Sequence, residues 1–186
     1  MKKWIKNDII REIVDWAIWL LAAFLLFLIV SHFVFRTAKI DGSSMEPTLQ
    51  DKDLVVVAIF PYLFGEAQYG DIVAFPYPAN PSEYYIKRII GRPGDEIDLH
   101  RDGFYVNGEL LADNFSVEGA QNYGNQDFPL IVPEGSYFVL GDNRNHSEDS
   151  RYVEVGCVRH KDIIGRAVLR FWPFNKLGTL NSNRSS

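Results

Sequence analysis

The chain has 186 residues, 47% of them apolar, a net charge of −5 and one cysteine. That length holds one compact domain, with room for a small subdomain and an N-terminal segment. A net negative charge gives no electrostatic footprint for nucleic acid, and the lone Cys157 excludes an internal disulfide. With no activating context around it, Cys157 reads as a buried structural residue.

From Trp16 to Phe35 the chain runs for twenty residues without Asp, Glu, Lys or Arg. At about 1.5 Å per residue a helix of that length is about 30 Å long, the thickness of a bilayer core. Trp16 and Trp19 lie at one end and Phe33 and Phe35 at the other, where interfacial aromatics gather. A cleavable signal peptide would carry a shorter apolar region and a small-x-small site, whereas this stretch runs into Arg36-Thr37-Ala38-Lys39. Residues 16–35 are therefore predicted to span a membrane. Lys2, Lys3, Lys6 and Arg11 precede the span and only Arg36 and Lys39 follow closely. The positive-inside tendency then puts residues 1–15 in the cytoplasm and residues 36–186 outside. His32 reads as a side chain reaching the interface more readily than as a proton relay.

Beyond residue 36, short runs of Val, Ile, Phe and Tyr alternate with Gly, Pro, Asn and Asp. Strands are predicted at 54–59, 71–77, 84–92, 96–100, 103–106, 109–112, 136–140 and 163–171. Asn107-Gly108 is the best hairpin signal in the chain. The outer domain is thus expected to be mainly β, a sheet-rich barrel or folded sandwich. Residues 113–132 look like a long excursion, and about 96–135 would form a smaller, variable β subdomain.

Three segments hold reactive groups. In Gly42-Ser43-Ser44-Met45-Glu46-Pro47-Thr48-Leu49, serines between Gly and Pro by themselves mean only a turn. In Tyr84–Asp95, strand alternation puts Tyr85, Lys87 and Ile89 on one face and Ile86, Arg88 and Ile90 on the other. One basic side chain must then lie among apolar neighbours, unless this is a solvated edge strand. A lysine so placed loses proton affinity, and a drop of roughly three pH units would make it a usable general base. Gly141-Asp142-Asn143-Arg144-Asn145-His146-Ser147-Glu148-Asp149-Ser150-Arg151 lacks the mid-loop glycine and final glutamate of a calcium loop. It reads as an exposed loop or as a packed polar network supporting a nearby site.

Taken in order, these pieces resemble bacterial type I signal peptidases, membrane-bound Ser-Lys endopeptidases. The resemblance rests on the N-terminal span, Ser44-Met45-Glu46-Pro47-Thr48-Leu49, Tyr69-Gly70-Asp71-Ile72-Val73, Lys87-Arg88 with Gly91-Arg92-Pro93-Gly94-Asp95, and Gly141-Asp142-Asn143-Arg144 with Ser147, Asp149, Ser150 and Arg151. It implies Ser44 as nucleophile and Lys87 as general base, Ser147 orienting the lysine, and Asp149 and Arg151 supporting that part of the site. It implies Met45 packed beside the nucleophile, no cofactor and no metal. The Ser44 backbone N–H would be one oxyanion donor; a second donor is uncertain near Gly42, where some relatives carry a serine. His146 raises a Ser-His alternative, but the resemblance gives the base role to Lys87.

The implied substrates are signal-peptide-bearing preproteins cleaved after small residues in an Ala-x-Ala pattern. The implied surroundings are the lipid bilayer and the vicinity of the secretion translocon. Residues 55–64 and Phe171–Phe174 would either line the substrate pockets, touch lipid, or simply be core. A self-cleaving repressor would need a DNA-binding domain and no span. A catalytically silent, membrane-tethered preprotein-binding relative would be expected to lack the serine or the lysine.

Overall fold

The computed structural model describes residues 2–60, 62, 65–111 and 122–180, with side chains described from residue 10 onward except at 32 and 33. The chain divides into two compact units, Met1–Phe35 and Arg36–Ser186. The first is a single helix, α1 (Lys2–Val34). Within it, Ile10–Ser31 is long and apolar enough to cross a membrane, and none of that segment is buried. Apolar side chains ring the helix on all sides, with Trp16 and Trp19 more than 70% exposed, so no single stripe is available to pack on a protein core. The helix starts before the predicted span and stops one residue short of its end, because Phe35 opens a strand. The expectations placed on His32 and Phe33 lie outside the described side chains.

The second unit is mainly β, as expected. Strands β1 (Phe35–Lys39), β2 (Leu54–Ala58), β3 (Ile72–Tyr77), β4 (Asn80–Gly91), β9 (Ser136–Leu140), β10 (Val158–Arg159), β11 (Gly165–Trp172) and β12 (Gly178–Thr179) form one sheet. Its order is β1-β2-β11-β3-β4-β9-β10, with β12 paired to β11. A second sheet has the order β7-β6-β5-β8, from β5 (Glu96–His100), β6 (Gly103–Val106), β7 (Glu109–Leu110) and β8 (Leu130–Ile131). The β6–β7 turn is Asn107-Gly108, with φ of 53° and 80°, the left-handed pair that a two-residue hairpin requires. All eight predicted strands are present. Those not foreseen are β1, whose apolar start merges with the span, and the two-residue β8, β10 and β12, too short to show a period. Of the predicted excursion, residues 113–121 lie outside the described residues.

Strand β4 positions the site. It pairs with β3 along residues 80–88 and with β9 from Arg88 onward, and Lys87 and Arg88 are both buried, so the reading of a solvated edge fails at these residues. Tyr85 and Ile89 pack with Val73 and Phe75 in one apolar cluster, while Ile86 packs with Ile72 and Ala74 in another. Lys87 faces Val73 across the ladder and Arg88 faces Ile72. The alternation is as predicted, but both basic residues are buried, at 4% and 1% exposure, where alternation alone required one. The physical reason is that both faces of this central strand are covered.

Candidate active site

Ser44 lies in the turn that links β1 to β2. Met45 and Leu49 are buried in the second cluster, and the Leu49 N–H donates to the Met45 carbonyl at 2.9 Å, so one helical turn is pinned just beyond the serine. On the other side Gly42 adopts a φ of +90°, and its N–H donates to Asp51 Oδ1 at 3.0 Å. A side chain at Gly42 would meet nothing within 4 Å, but the backbone there is one that glycine adopts freely.

Lys87 donates a hydrogen bond from Nζ to Ser44 Oγ at 2.8 Å. Its amine also lies 4.9 Å from the centre of the Tyr85 ring. Among the described residues no carboxylate forms an ion pair with it. Burial lowers its pKa to about 8, with the nearby Asp149 and Glu148 carboxylates working in the opposite direction. At pH 7 roughly one amine in ten would be neutral, against fewer than about one in a thousand for an ordinary lysine. In the neutral form the same contact lets the serine hydroxyl donate to the amine, the geometry of a nucleophile with its base.

The third motif folds over this pair. The Asn143 N–H donates to the Ser44 carbonyl at 3.0 Å, and the Asn143 amide side chain donates to the Ser43 carbonyl at 3.2 Å. A Cβ on Gly141 would come within 2.2 Å of Ser147 Oγ and 2.4 Å of the Ser44 carbonyl, so only glycine lets this loop lie against the Ser44 backbone. Asp149 and Arg151 are fully buried and joined by two hydrogen bonds of 2.8 Å. Asp149 also accepts from the Gly141 N–H at 3.0 Å, and Arg151 donates to the Ser147 carbonyl at 3.3 Å. The pair therefore holds Gly141 and Ser147 in place. Ser147 Oγ itself is buried without a hydrogen-bond partner, so no bond joins it to Lys87 in this structure.

The turn, β4 and the loop enclose an open cleft of about 270 Å³ whose lining includes Ile40, Ser44, Met45, Ile86 and Lys87. Its apolar walls include Ile40, Met45 and Ile86, and none of the described residues of 55–64 or 171–174 lines it, which leaves the core and lipid alternatives for those. Val55, Val57 and Ala58 are core residues, and the buried Tyr62 donates to Asp71 at 2.7 Å. Phe60, Trp172 and Phe174 are exposed, while Pro61, Leu63 and Phe64 lie outside the described residues. His146 is exposed at the same cleft, where its Nδ1 is 3.3 Å from Asn143 Oδ1. Cys157 is half-buried rather than buried, and burial pushes its thiol up to about 11, so it is no nucleophile near neutrality. Among the described residues no group of His, Cys, Asp and Glu is gathered as a metal site would need.

The family model described as signal peptidase, peptidase S26, matches residues 13–172. The chain belongs to the S26 signal peptidase family. It is 36% identical to signal peptidase IB of Staphylococcus aureus (strain COL), over 89% of this chain and 93% of that one. It is 41% identical to a probable signal peptidase I-2 of Synechocystis, over 83% of this chain and 71% of that one. A crystal structure of a signal peptidase I from Enterococcus faecalis is 40% identical, covering 54% of this chain and 96% of its own, with a TM-score of 0.45.

Several residues of this S26 site were not singled out by the sequence. Arg88 makes two hydrogen bonds to Asp142, at 2.8 and 2.7 Å, and donates to the Gly70 carbonyl at 2.7 Å. It also reaches Thr48 Oγ1 at 3.5 Å. One guanidinium thus links the serine turn, the Gly70-Asp71 motif and the third loop. Both Arg88 and Asp142 lie within the sequence motifs, but their pairing depends on the fold. Asn143 and Gly141 were likewise visible only as motif letters.

Proposed function

We propose that this chain is a type I signal peptidase, a serine endopeptidase that removes signal peptides from exported preproteins. What supports this reading most is the 2.8 Å contact between Ser44 Oγ and the buried Lys87 amine, set in a chain of this family. Neutral Lys87 takes the Ser44 proton as the serine oxygen attacks the scissile carbonyl, giving a tetrahedral oxyanion. The oxyanion collapses to an ester acyl-enzyme as the lysine ammonium protonates the leaving amine. Lys87 then takes a proton from water, hydroxide attacks the ester, and Ser44 recovers its proton. The Ser44 N–H serves the oxyanion. The second donor must come from elsewhere than the Gly42 N–H, which Asp51 occupies. Ser147 orients the lysine during these transfers, and Asp149 and Arg151 hold it in position.

The cleft's small apolar walls suit an extended peptide with Ala or similarly small residues at the first and third positions before the cut. Residues 16–35 anchor the protein as a single membrane span, with 1–15 in the cytoplasm and 36–186 outside. Residues of about 96–135 form the smaller subdomain. The exposed Phe60, Trp172 and Phe174 are suited to a lipid surface, and the translocon neighbourhood is where such precursors emerge.

The test is to incubate the purified full-length protein in detergent with a secretory precursor whose signal ends in Ala-x-Ala. Release of the mature form is expected, with little release when the terminal Ala is replaced by a bulky residue. An intact precursor after prolonged incubation would end the reading. The pH dependence is fixed in sign. Burial lowers the lysine pKa to about 8, so the active amine is lost as pH falls through that value. The acid limb of kcat/KM should have its midpoint near there, with about a tenfold loss per pH unit below it.

A further inference from the structure

The exposed side of the dyad holds a second constellation that the mechanism does not use. Glu148 is exposed at the cleft rim, where a glutamate would ordinarily be free in water. Here both its oxygens are taken. Tyr77 donates to one at 2.8 Å and Tyr85 to the other at 3.0 Å. The two tyrosine rings stack at 4.4 Å and 9°. Phe75 meets the Tyr85 ring edge-on at 6.3 Å. The Tyr85 ring is therefore fixed by Tyr77, Phe75 and Glu148 together, and Lys87 Nζ lies 4.9 Å from its centre.

We propose that Tyr77, Tyr85 and Glu148 form a clamp that positions Lys87 for its proton transfers, a role that rests on the Ser44–Lys87 reading above. The reason lies in what the lysine must do twice. It has to be neutral to accept a proton, yet hold that proton until the leaving amine or the returning serine takes it. Burial alone favours only the neutral state. The charged groups around Lys87 are Asp149, Glu148, Arg151 and Asp142. Asp149 is offset by Arg151 and Asp142 by Arg88, both as buried pairs. Glu148 is held instead by two neutral hydroxyls, which fix the carboxylate and leave its charge in place. A tyrosine hydroxyl that donates to a carboxylate also enriches its ring, and the ring face attracts an ammonium. The clamp thus stabilises the transient ammonium through Tyr85 and through the Glu148 charge. Glu148 and Tyr77 are positioning residues here, since neither touches the serine or the peptide bond.

The experiment compares pH profiles of kcat/KM for precursor cleavage by the full-length protein in detergent. Wild type, Glu148→Gln, Tyr77→Phe and the inactive control Ser44→Ala are measured side by side. With its negative charge removed, Glu148→Gln should shift the acid limb down by about half a pH unit, because the ammonium is less stable. Its plateau should fall several-fold. Tyr77→Phe keeps the charge and loosens the ring, so its plateau should fall while the limb stays in place. A wild-type profile for Glu148→Gln would overturn the proposal. So would a lower plateau with an unmoved limb, which would make Glu148 a structural prop. Cleavage that persists in Ser44→Ala would instead sink the dyad reading itself, and with it the clamp, whatever the Glu148 variant does.

Discussion

Ser44→Ala and Lys87→Met should each leave a folded protein whose cleavage rate falls by a factor on the order of 10⁴ or more. In the proposed mechanism nucleophile and base act as one unit, so Ser44→Ala combined with Lys87→Met should lose no more than either alone. The lysine variant carries the sharper expectation. Lys87 is 4% exposed, and burial is the largest influence on its amine, so the fold holds a group whose charged form is disfavoured. Met has nearly the same length and no charge to desolvate. Lys87→Met should therefore unfold at the same temperature as wild type or higher while being inactive. Lys87→Arg should be inactive too, because a guanidinium keeps its proton at any working pH. Thermal unfolding and precursor cleavage on the same preparations decide this. A Lys87→Met protein that is much less stable, or one that still processes precursor, would refute the account of a buried neutral base.

The parts legible in the sequence were those that repeat locally. Twenty uncharged residues give a helix, and alternation over Tyr85–Ile90 assigns each side chain to a face by its position alone. Asn107-Gly108 identifies its own turn because the backbone angles it needs belong to those residue types. The site was legible only as order, three polar segments in succession, since no local rule says that residue 44 will meet residue 87. Non-local pairings were out of reach for the same reason. Arg88 reads as one more charge on a strand until Asp142, 54 positions away, neutralises it. Glu148 reads as a solvated loop residue until Tyr77 and Tyr85 arrive from the sheet, 71 and 63 positions away. The burial of Lys87 and Arg88 together follows from the apolar clusters that cover both faces of β4, which a single strand's pattern cannot specify.

Asp142→Ala should be the most destabilising of the single changes around the site. Arg88 and Asp142 are 2% and 0% exposed at the side chain, and their contact is 2.7 Å. Removing the carboxylate leaves a buried guanidinium without its counter-charge, at a cost of about 3–5 kcal/mol. For a chain of this size that lowers the thermal midpoint by roughly 10 °C. Replacing both partners with apolar residues, Arg88→Met with Asp142→Leu, removes the stranded charge, and most of the lost stability should return. Activity should not return with it. Arg88 also donates to the Gly70 carbonyl at 2.7 Å and reaches Thr48 in the serine turn, and Met can do neither. The turn that carries Ser44 then keeps its buried Met45 and Leu49 and its bonds to Asn143, but loses the guanidinium that ties Thr48 to Gly70 and to Asp142. A difference of even an ångström in where Oγ meets the amine costs catalysis far more than it costs folding. The expected double variant is stable and slow. If it regains both stability and rate, the pair serves only to fill space, and the serine turn is held by its apolar anchors and Asn143 without help from Arg88.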